Sequence, residues 1–274
     1  MTASLRPSPL GRPTTYGGGY DPTLLHPVAR APQRAALGLG AAVPFSGADL
    51  WTAYELAWLN ARGKPEVAVG MFRVPAESPN VVESKSAKLY LNAFSETRFT
   101  AAAEVEHLLR ADLGRVCGAP VTVALVGAEA RRPLPAAALD GDSIDHLEVE
   151  IDRYSPAPHL LAAAGAAVEE TLVSDLFKSN CPVTGQPDWG SVQIRYRGPQ
   201  IDRAGLLRYL VSFRGHAGFH EHCVEQMFLE ILQRCGPERL SVYARFLRRG
   251  GIDINPFRSN WEAAPAANVR TGRQ

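Results

Sequence analysis

The sequence predicts an α+β fold of two tandem modules, residues 46–154 and 155–274, behind an irregular arm over 1–45. Three observations predict it. Short segments alternate apolar and polar residues, the mark of half-buried strands: 67–74, 121–126, 146–152, 191–197 and 240–246. Two stretches carry apolar residues at helical spacing. One is 100–115, with Val105, Leu108 and Leu109 on one side; the other presents Val224, Met227, Phe228, Ile231, Leu232 and Cys235 and stops at Gly236-Pro237. The two halves also align with each other. Tyr90-Leu91 matches Tyr209-Leu210, Phe99 matches Phe219, Cys117-Gly118 matches Cys235-Gly236, and Pro65-Glu66 matches Pro187-Asp188. Each copy then reads as a strand pair, a helical segment and another strand pair.

The remaining elements follow in chain order. The arm is rich in proline and glycine, with Gly17-Gly18-Gly19 inside it, and reads as irregular chain draped on the fold or partly disordered. Residues 49–59 (DLWTAYELAWL) place large apolar side chains at helical spacing and predict the first helix. Residues 83–94 are polar at their start and apolar at their end. The Ala-rich stretch 160–168 is too short to span a bilayer and predicts the opening of a helix, or packing against one. Within 179–191 (SNCPVTGQPDWGS), Pro182, Gly185 and Pro187 break any regular helix or central strand, so this is a structured loop.

Composition excludes several function classes. Of 274 residues, 21% are charged and the net charge is +1, so no strongly basic surface for nucleic acid is expected. Cys117, Cys181, Cys223 and Cys235 form no CxxC pair and read as reduced cytoplasmic thiols. No lysine-rich start precedes an apolar core, so no signal peptide is expected, nor any membrane span. No GxGxxG follows a strand, which argues against a Rossmann dinucleotide site.

The loop 179–191 carries the chemistry. A cysteine sits between an asparagine and a proline, with Asp188 seven residues on. A thiol is nucleophilic only as thiolate, and a neighbouring acid or base must handle its proton. Cys181 and Asp188 therefore read either as nucleophile and proton carrier or as a buried structural thiol beside a turn carboxylate. Differences between the copies sharpen the choice. The first copy has Glu83-Ser84-Lys85-Ser86 before its Tyr-Leu; the second alone has the Cys-to-Asp loop and His220-Glu221. A composite site between copies or between subunits would produce that pattern.

These residues resemble a known family. YDPTLLHPVAR, DLWTAYELAWLN, VVESKSAKLYLNAF, SNCPVTGQPDWGS, YLVSFRGHAGFHEHCVEQ and RRGGIDINPFRSN are similar to segments of the NADPH-dependent 7-cyano-7-deazaguanine reductases, in their long two-module form. These are the nitrile reductases of queuosine biosynthesis. The resemblance runs from about Tyr20 to Asn260. It implies the tunnelling fold, in which antiparallel sheets with two helices on one face assemble into a barrel, here as a homodimer. It implies that Cys181 adds to the nitrile carbon as a thioimidate, that Asp188 is the general acid, and that His220 assists. It implies substrate contacts from Val82, Glu83, Ser84, His220 and Glu221, and NADPH contacts from Ser84, Lys85, Arg249 and Gly250. No metal is implied, nor nucleic acid or membrane as partner; the compartment is the cytoplasm. Competing expectations are an amidine-forming relative acting on the same nitrile, a metal hydrolase using His216, His220, His222 and Cys223, and a non-catalytic purine-binding module.

Overall fold

The computed structural model describes residues 18–40, 42–127 and 136–274. The chain divides into two compact units: Met1–Ala41 with Asp49–Pro133 and Arg248–Asp253, and Ala42–Ala48 with Leu134–Leu247 and Ile254–Gln274.

In the first unit, a 3-10 turn at Pro22–Leu24, capped by Asp21, leads to β1 (Pro27–Ala29) and α1 (Ala31–Ala36). The turn is held by Tyr20, whose ring meets Tyr90, Phe94 and Phe99 and whose hydroxyl donates to Asp112 at 2.6 Å. The arm expected to be irregular is thus anchored from Tyr20 onward; its residues 1–17 lie outside the described residues. Next come β2 (Ser46–Leu59, in this unit from Asp49), β3 (Pro65–Pro75) and β4 (Asn80–Val82). Then follow α2 (Ser84–Ala93), α3 (Ala102–Cys117) and β5 (Thr122–Gly127). β3 and β5 pair antiparallel from Ala68↔Gly127 to Arg73↔Thr122, and β1 pairs antiparallel with β4.

The expected helix over 49–59 is instead the strand β2. Asp49 to Ala53 are buried consecutively, and a strand covered on both faces hides its two-residue period. Leu50, Tyr54 and Trp58 fall at helical spacing, yet with Leu56 they also share one strand face. The Trp, Thr and Tyr content favours the strand.

In the second unit, β6 (Asp142–Ser143) runs parallel to β7 (Ala163–Asn180), which forms a long hairpin with β8 (Pro187–Ile201). Then come α4 (Arg203–Ser212), α5 (His220–Cys235), β9 (Arg239–Phe246) and β10 (Ile252–Ser259, in this unit from Ile254). β8 pairs antiparallel with β9, and β9 with β10. Two further expectations are corrected. The stretch 160–168 enters β7 from Ala163; ladder bonds to β8 outweigh alanine's mild helical preference, and Gly165 at φ 84 absorbs the register shift there. Residues 146–152 alternate in exposure but form no strand, because no neighbouring strand pairs with them.

The repeat holds at the level of elements. α2 and α4 are 10 residues each, and both run into a 3-10 turn beginning at Phe94 or Phe213. α3 and α5 are 16 residues each and end on left-handed glycines, Gly118 and Gly236. Most of the expected core stripe of α5 is buried, with Val224, Met227, Phe228 and Ile231 fully buried and Cys235 5% exposed; Leu232, expected with them, is only half-buried. Among the described residues no helix is long and apolar enough to cross a membrane.

Candidate active site

The loop expected over 179–191 is only 181–186: β7 runs to Asn180 and β8 starts at Pro187, a first-strand position where proline is tolerated, so Asp188 stands on a strand. The loop that remains is short and closed. Cys181 N donates to Gln186 O at 2.8 Å, and Gly185 N donates to Cys181 O at 3.0 Å. Gly185 takes φ 69, which a side chain would resist. The last ladder pairs are Ser179↔Asp188 and Asn180↔Pro187. Asn180 fastens the loop to the segment before α5. Its N donates to His216 O at 2.8 Å, its O accepts from Gly218 N at 3.1 Å, and its amide nitrogen reaches Arg214 O and His216 O. Lys178 Nζ donates to Asn180 Oδ1 at 2.6 Å. The base of the Cys181 loop is therefore stitched to the start of the helix that carries His220 and Glu221.

A bulge decides which way Cys181 faces. Upstream the register is Ser174↔Val192; downstream it is Phe177↔Gly190. Asp175 and Leu176 together oppose one residue, so the phase of β7 flips there. On β8 the even residues Asp188, Gly190, Val192 and Ile194 are buried. Before the bulge the buried partners on β7 are Leu172 and Ser174; after it they are Phe177, Ser179 and Cys181. Side chains alternate along a strand, so the bulge brings Ser179 onto the face of Asp188, and Cys181, the next residue in that phase, follows one position past the end of β7.

On that face Asp188 is 2% exposed, and its Oδ2 lies 3.5 Å from His220 Nε2. The His220 ring stacks flat on Phe246, with centroids 3.7 Å apart and planes 3° off parallel. Its Nδ1 faces Ile254 O at 3.3 Å. A carbonyl oxygen only accepts, so Nδ1 carries the hydrogen. In the neutral ring Nε2 then offers a lone pair toward Asp188, and that contact is attractive only when the pair holds a proton between them. A proton between Asp188 Oδ2 and His220 Nε2 would turn this contact into a hydrogen bond.

Cys223 sits against the same cluster, fully buried. Burial first, then the carboxylates Asp188 and Glu221, push its thiol up to about 12, against an opposing hydrogen bond from Ser179. Burial thus favours its thiol over its thiolate form. Cys181, 9% exposed, lies at the loop. Glu221, in the first turn of α5, is 6% exposed. His216 and His222 are both held below the ordinary imidazole value by burial, His222 further by His216. Among the described residues no group of three or more His, Cys, Asp or Glu is placed to hold a metal.

The first unit gathers the other expected residues. Val82 closes β4 and is buried. Glu83 is the N-cap of α2: its Oε1 accepts from Lys85 N at 2.6 Å and its Oε2 from Ser86 N at 2.8 Å. Each oxygen keeps a further lone pair. Ser84 and Lys85 open the helix, and Lys88 lies one turn on from Lys85, on the same side. Arg249 and Ile252 exchange backbone bonds around Gly250 (φ 61) and Gly251 (φ 82). A Cβ on Gly250 would meet Lys88 Cδ at 2.9 Å and lie 3.3 Å from its Nζ. A glycine turn pressed onto a lysine, with Lys85 and Arg249 beside it in sequence, suits a phosphate-bearing cofactor. Arg248 is committed elsewhere, to Glu55 and the face of Tyr54.

Sequence reasoning missed four contributors: Lys88, Phe246, Ser179 and the Ile254 carbonyl. Lys88 had a signal, its three-residue spacing from Lys85. Phe246 and Ile254 O had none, since strand pairing alone brings them to His220.

Two family models match the chain: one described as nitrile reductase, 7-cyano-7-deazaguanine-reductase N-term, over residues 16–125, and one described as QueF-like protein, over 187–265. A Burkholderia vietnamiensis protein named NADPH-dependent 7-cyano-7-deazaguanine reductase is 59% identical over 269 residues, 97% of this chain and 98% of the relative. A Bordetella pertussis protein of the same name is 58% identical over 272 residues, 99% of this chain and 100% of the relative. With identity at this level along nearly the whole length, the chain belongs to the 7-cyano-7-deazaguanine reductase family of nitrile reductases.

Proposed function

We propose that this chain is an NADPH-dependent reductase that converts the nitrile of 7-cyano-7-deazaguanine to the aminomethyl group, within queuosine biosynthesis. The observation that carries the reading is the closed loop holding Cys181 on the same sheet face as a buried Asp188 paired with His220. A nitrile is a weak electrophile, and a soft thiolate is the side chain suited to add to it. Cys181 gives its S–H proton to the Asp188–His220 pair, its sulfur bonds to the nitrile carbon, one π bond of the C≡N opens, and the nitrogen takes that proton from the pair. The product is a thioimidate. NADPH, held when bound by Lys85, Lys88, Arg249 and the Gly250 backbone, would supply the two hydrides that the carbon needs, one before and one after the thiolate departs. Four electrons and four protons turn the nitrile into the amine, so two NADPH are consumed. Between the two halves a proton from solvent would reload the Asp188–His220 pair at the His220 Nε2 side, and Phe246 keeps the imidazole ring from turning.

Glu221, Glu83, Val82, Ser84 and His220 would bind the deazaguanine. A carboxylate accepts from both the ring N–H and the exocyclic amine of such an edge, a bidentate match. Lys85, Lys88, Arg249 and the backbone at Gly250 would hold the phosphates of NADPH. The two T-fold modules, taken as 46–154 and 155–274, and the barrel closure of that fold support a homodimer. The four cysteines without a disulfide support the cytoplasm.

The test is direct. Purified protein with 7-cyano-7-deazaguanine should oxidise two equivalents of NADPH per amine formed, followed by absorbance and mass. Folded protein that oxidises none refutes the reading. Amidine formed with ammonia in place of amine would transfer the chain to that neighbouring chemistry.

A further inference from the structure

The second unit carries a cavity of about 490 Å³ lined by Trp189, Gly190, Ser191, Arg245, Leu247, Thr271, Arg273 and Gln274. It lies on the opposite face of the sheet from the catalytic cluster. Ser191 stands directly across from Arg245 in the β8–β9 ladder, one residue out of phase with Asp188, Gly190 and Phe246. Nothing in the proposed reaction uses it.

Arg245 makes this cavity unusual. It is only 4% exposed, and burying a guanidinium without a counter-charge is costly. Two other buried arginines have carboxylates: Arg30 meets Asp49 at 2.5 Å, and Arg258 meets Glu225 at 2.9 and 3.0 Å. Among the described residues Arg245 meets none. Its Nη2 has a long 3.4 Å bond to Asn268 Oδ1, an oxygen already taken by Tyr243 at 3.1 Å and Asn255 at 3.2 Å. Its Nε has no hydrogen-bond partner. Its guanidinium also lies over the Tyr243 ring, 5.6 Å from the centroid. The Asp175 carboxylate accepts from the Ser191 hydroxyl. A second arginine, Arg273, stands at the rim, with its guanidinium on the Asp175 carbonyl. The indole of Trp189 and the side chain of Leu247 form an apolar wall. The volume falls within the range of small-ligand pockets, roughly 300–1,000 Å³.

We infer that this cavity is a second binding site, separate from the reaction centre, for a small aromatic phosphate monoester of nucleotide type. The phosphate supplies the counter-charge that Arg245 lacks, with Arg273 closing over it, and the base lies against Trp189. Binding there is independent of the thiol chemistry.

Calorimetric titration of the Cys181→Ala protein with adenosine 5′-monophosphate tests this. Saturable binding is expected; adenosine, which lacks the phosphate, should bind at least tenfold more weakly. Arg245→Lys should weaken the nucleotide by roughly tenfold to a hundredfold, the worth of a hydrogen bond to a charged group. Arg273→Gln, at the rim and safe for folding, should weaken it measurably. Lys85→Ala should leave it unchanged. Absence of saturable binding overturns the inference. So does binding lost in Lys85→Ala but kept in Arg273→Gln, which would place the nucleotide at the cofactor residues instead.

Discussion

Replacing Asp188 by asparagine isolates the proton from the shape. The amide has the same outline and can donate to His220 Nε2, whose lone pair is fixed by the Nδ1–H to Ile254 O contact. At 2% exposure there is little room for water to stand in as acid. Folding should therefore change by no more than about 1 kcal/mol, in the range of an isosteric polar exchange. Nitrile addition should slow by roughly 10²–10⁴-fold, the usual worth of a positioned acid, or about 3–5 kcal/mol of barrier. The assay is intact mass spectrometry of the protein with 7-cyano-7-deazaguanine and no cofactor, sampled over time. Thermal denaturation of the same samples serves as the folding control. Adduct appearing at the unmodified rate in a well-folded Asp188→Asn protein would remove Asp188 from the proton path.

Cys181→Ala should abolish both the mass adduct and NADPH oxidation while retaining most ligand binding by calorimetry. Arg258→Met should destabilise by about 3–5 kcal/mol in urea unfolding, because it leaves Glu225, 2% exposed, without its guanidinium; Arg258→Met with Glu225→Leu should recover much of that loss. Glu83→Ala removes the acceptor for two helix-start amides and should cost about 1 kcal/mol by the same measurement. His216 and His222 are held neutral by burial, below the ordinary value of 6.5. The unfolded chain then binds protons first as pH falls, so their contribution is complete above about 6.5 and drains below it. Stability against pH, followed by urea midpoints, should flatten on the acid side in the His216→Asn, His222→Asn protein.

Much of the fold was legible because periodicity and stop signals agreed. The stripe of α5 and its stop at Gly236 have a local cause, and so does the α3 helix ending at Gly118. The miss at 49–59 came from burial on both faces, which erases alternation. The misses at 146–152 and 160–168 came from pairing, which depends on what lies beside a segment. At the site, Cys181 and Asp188 stood out through proline and glycine spacing. The partners of His220 did not, since Phe246 and Ile254 reach it only once β9 and β10 are laid down. The tight turn at Gly250 was legible as backbone freedom, but its contact with Lys88 was not.

The surplus residue at Asp175-Leu176 makes chain length upstream of the hairpin a chemical variable. Drop one residue there and every side chain beyond it changes sides: lysine and asparagine would turn inward while the sulfur looked out at solvent. Sequence identity at the loop would be untouched, and the pair proposed to react would be parted. Anyone transplanting this hairpin into another sheet must carry residues 175–188 as one indivisible piece, because counting matters there as much as composition.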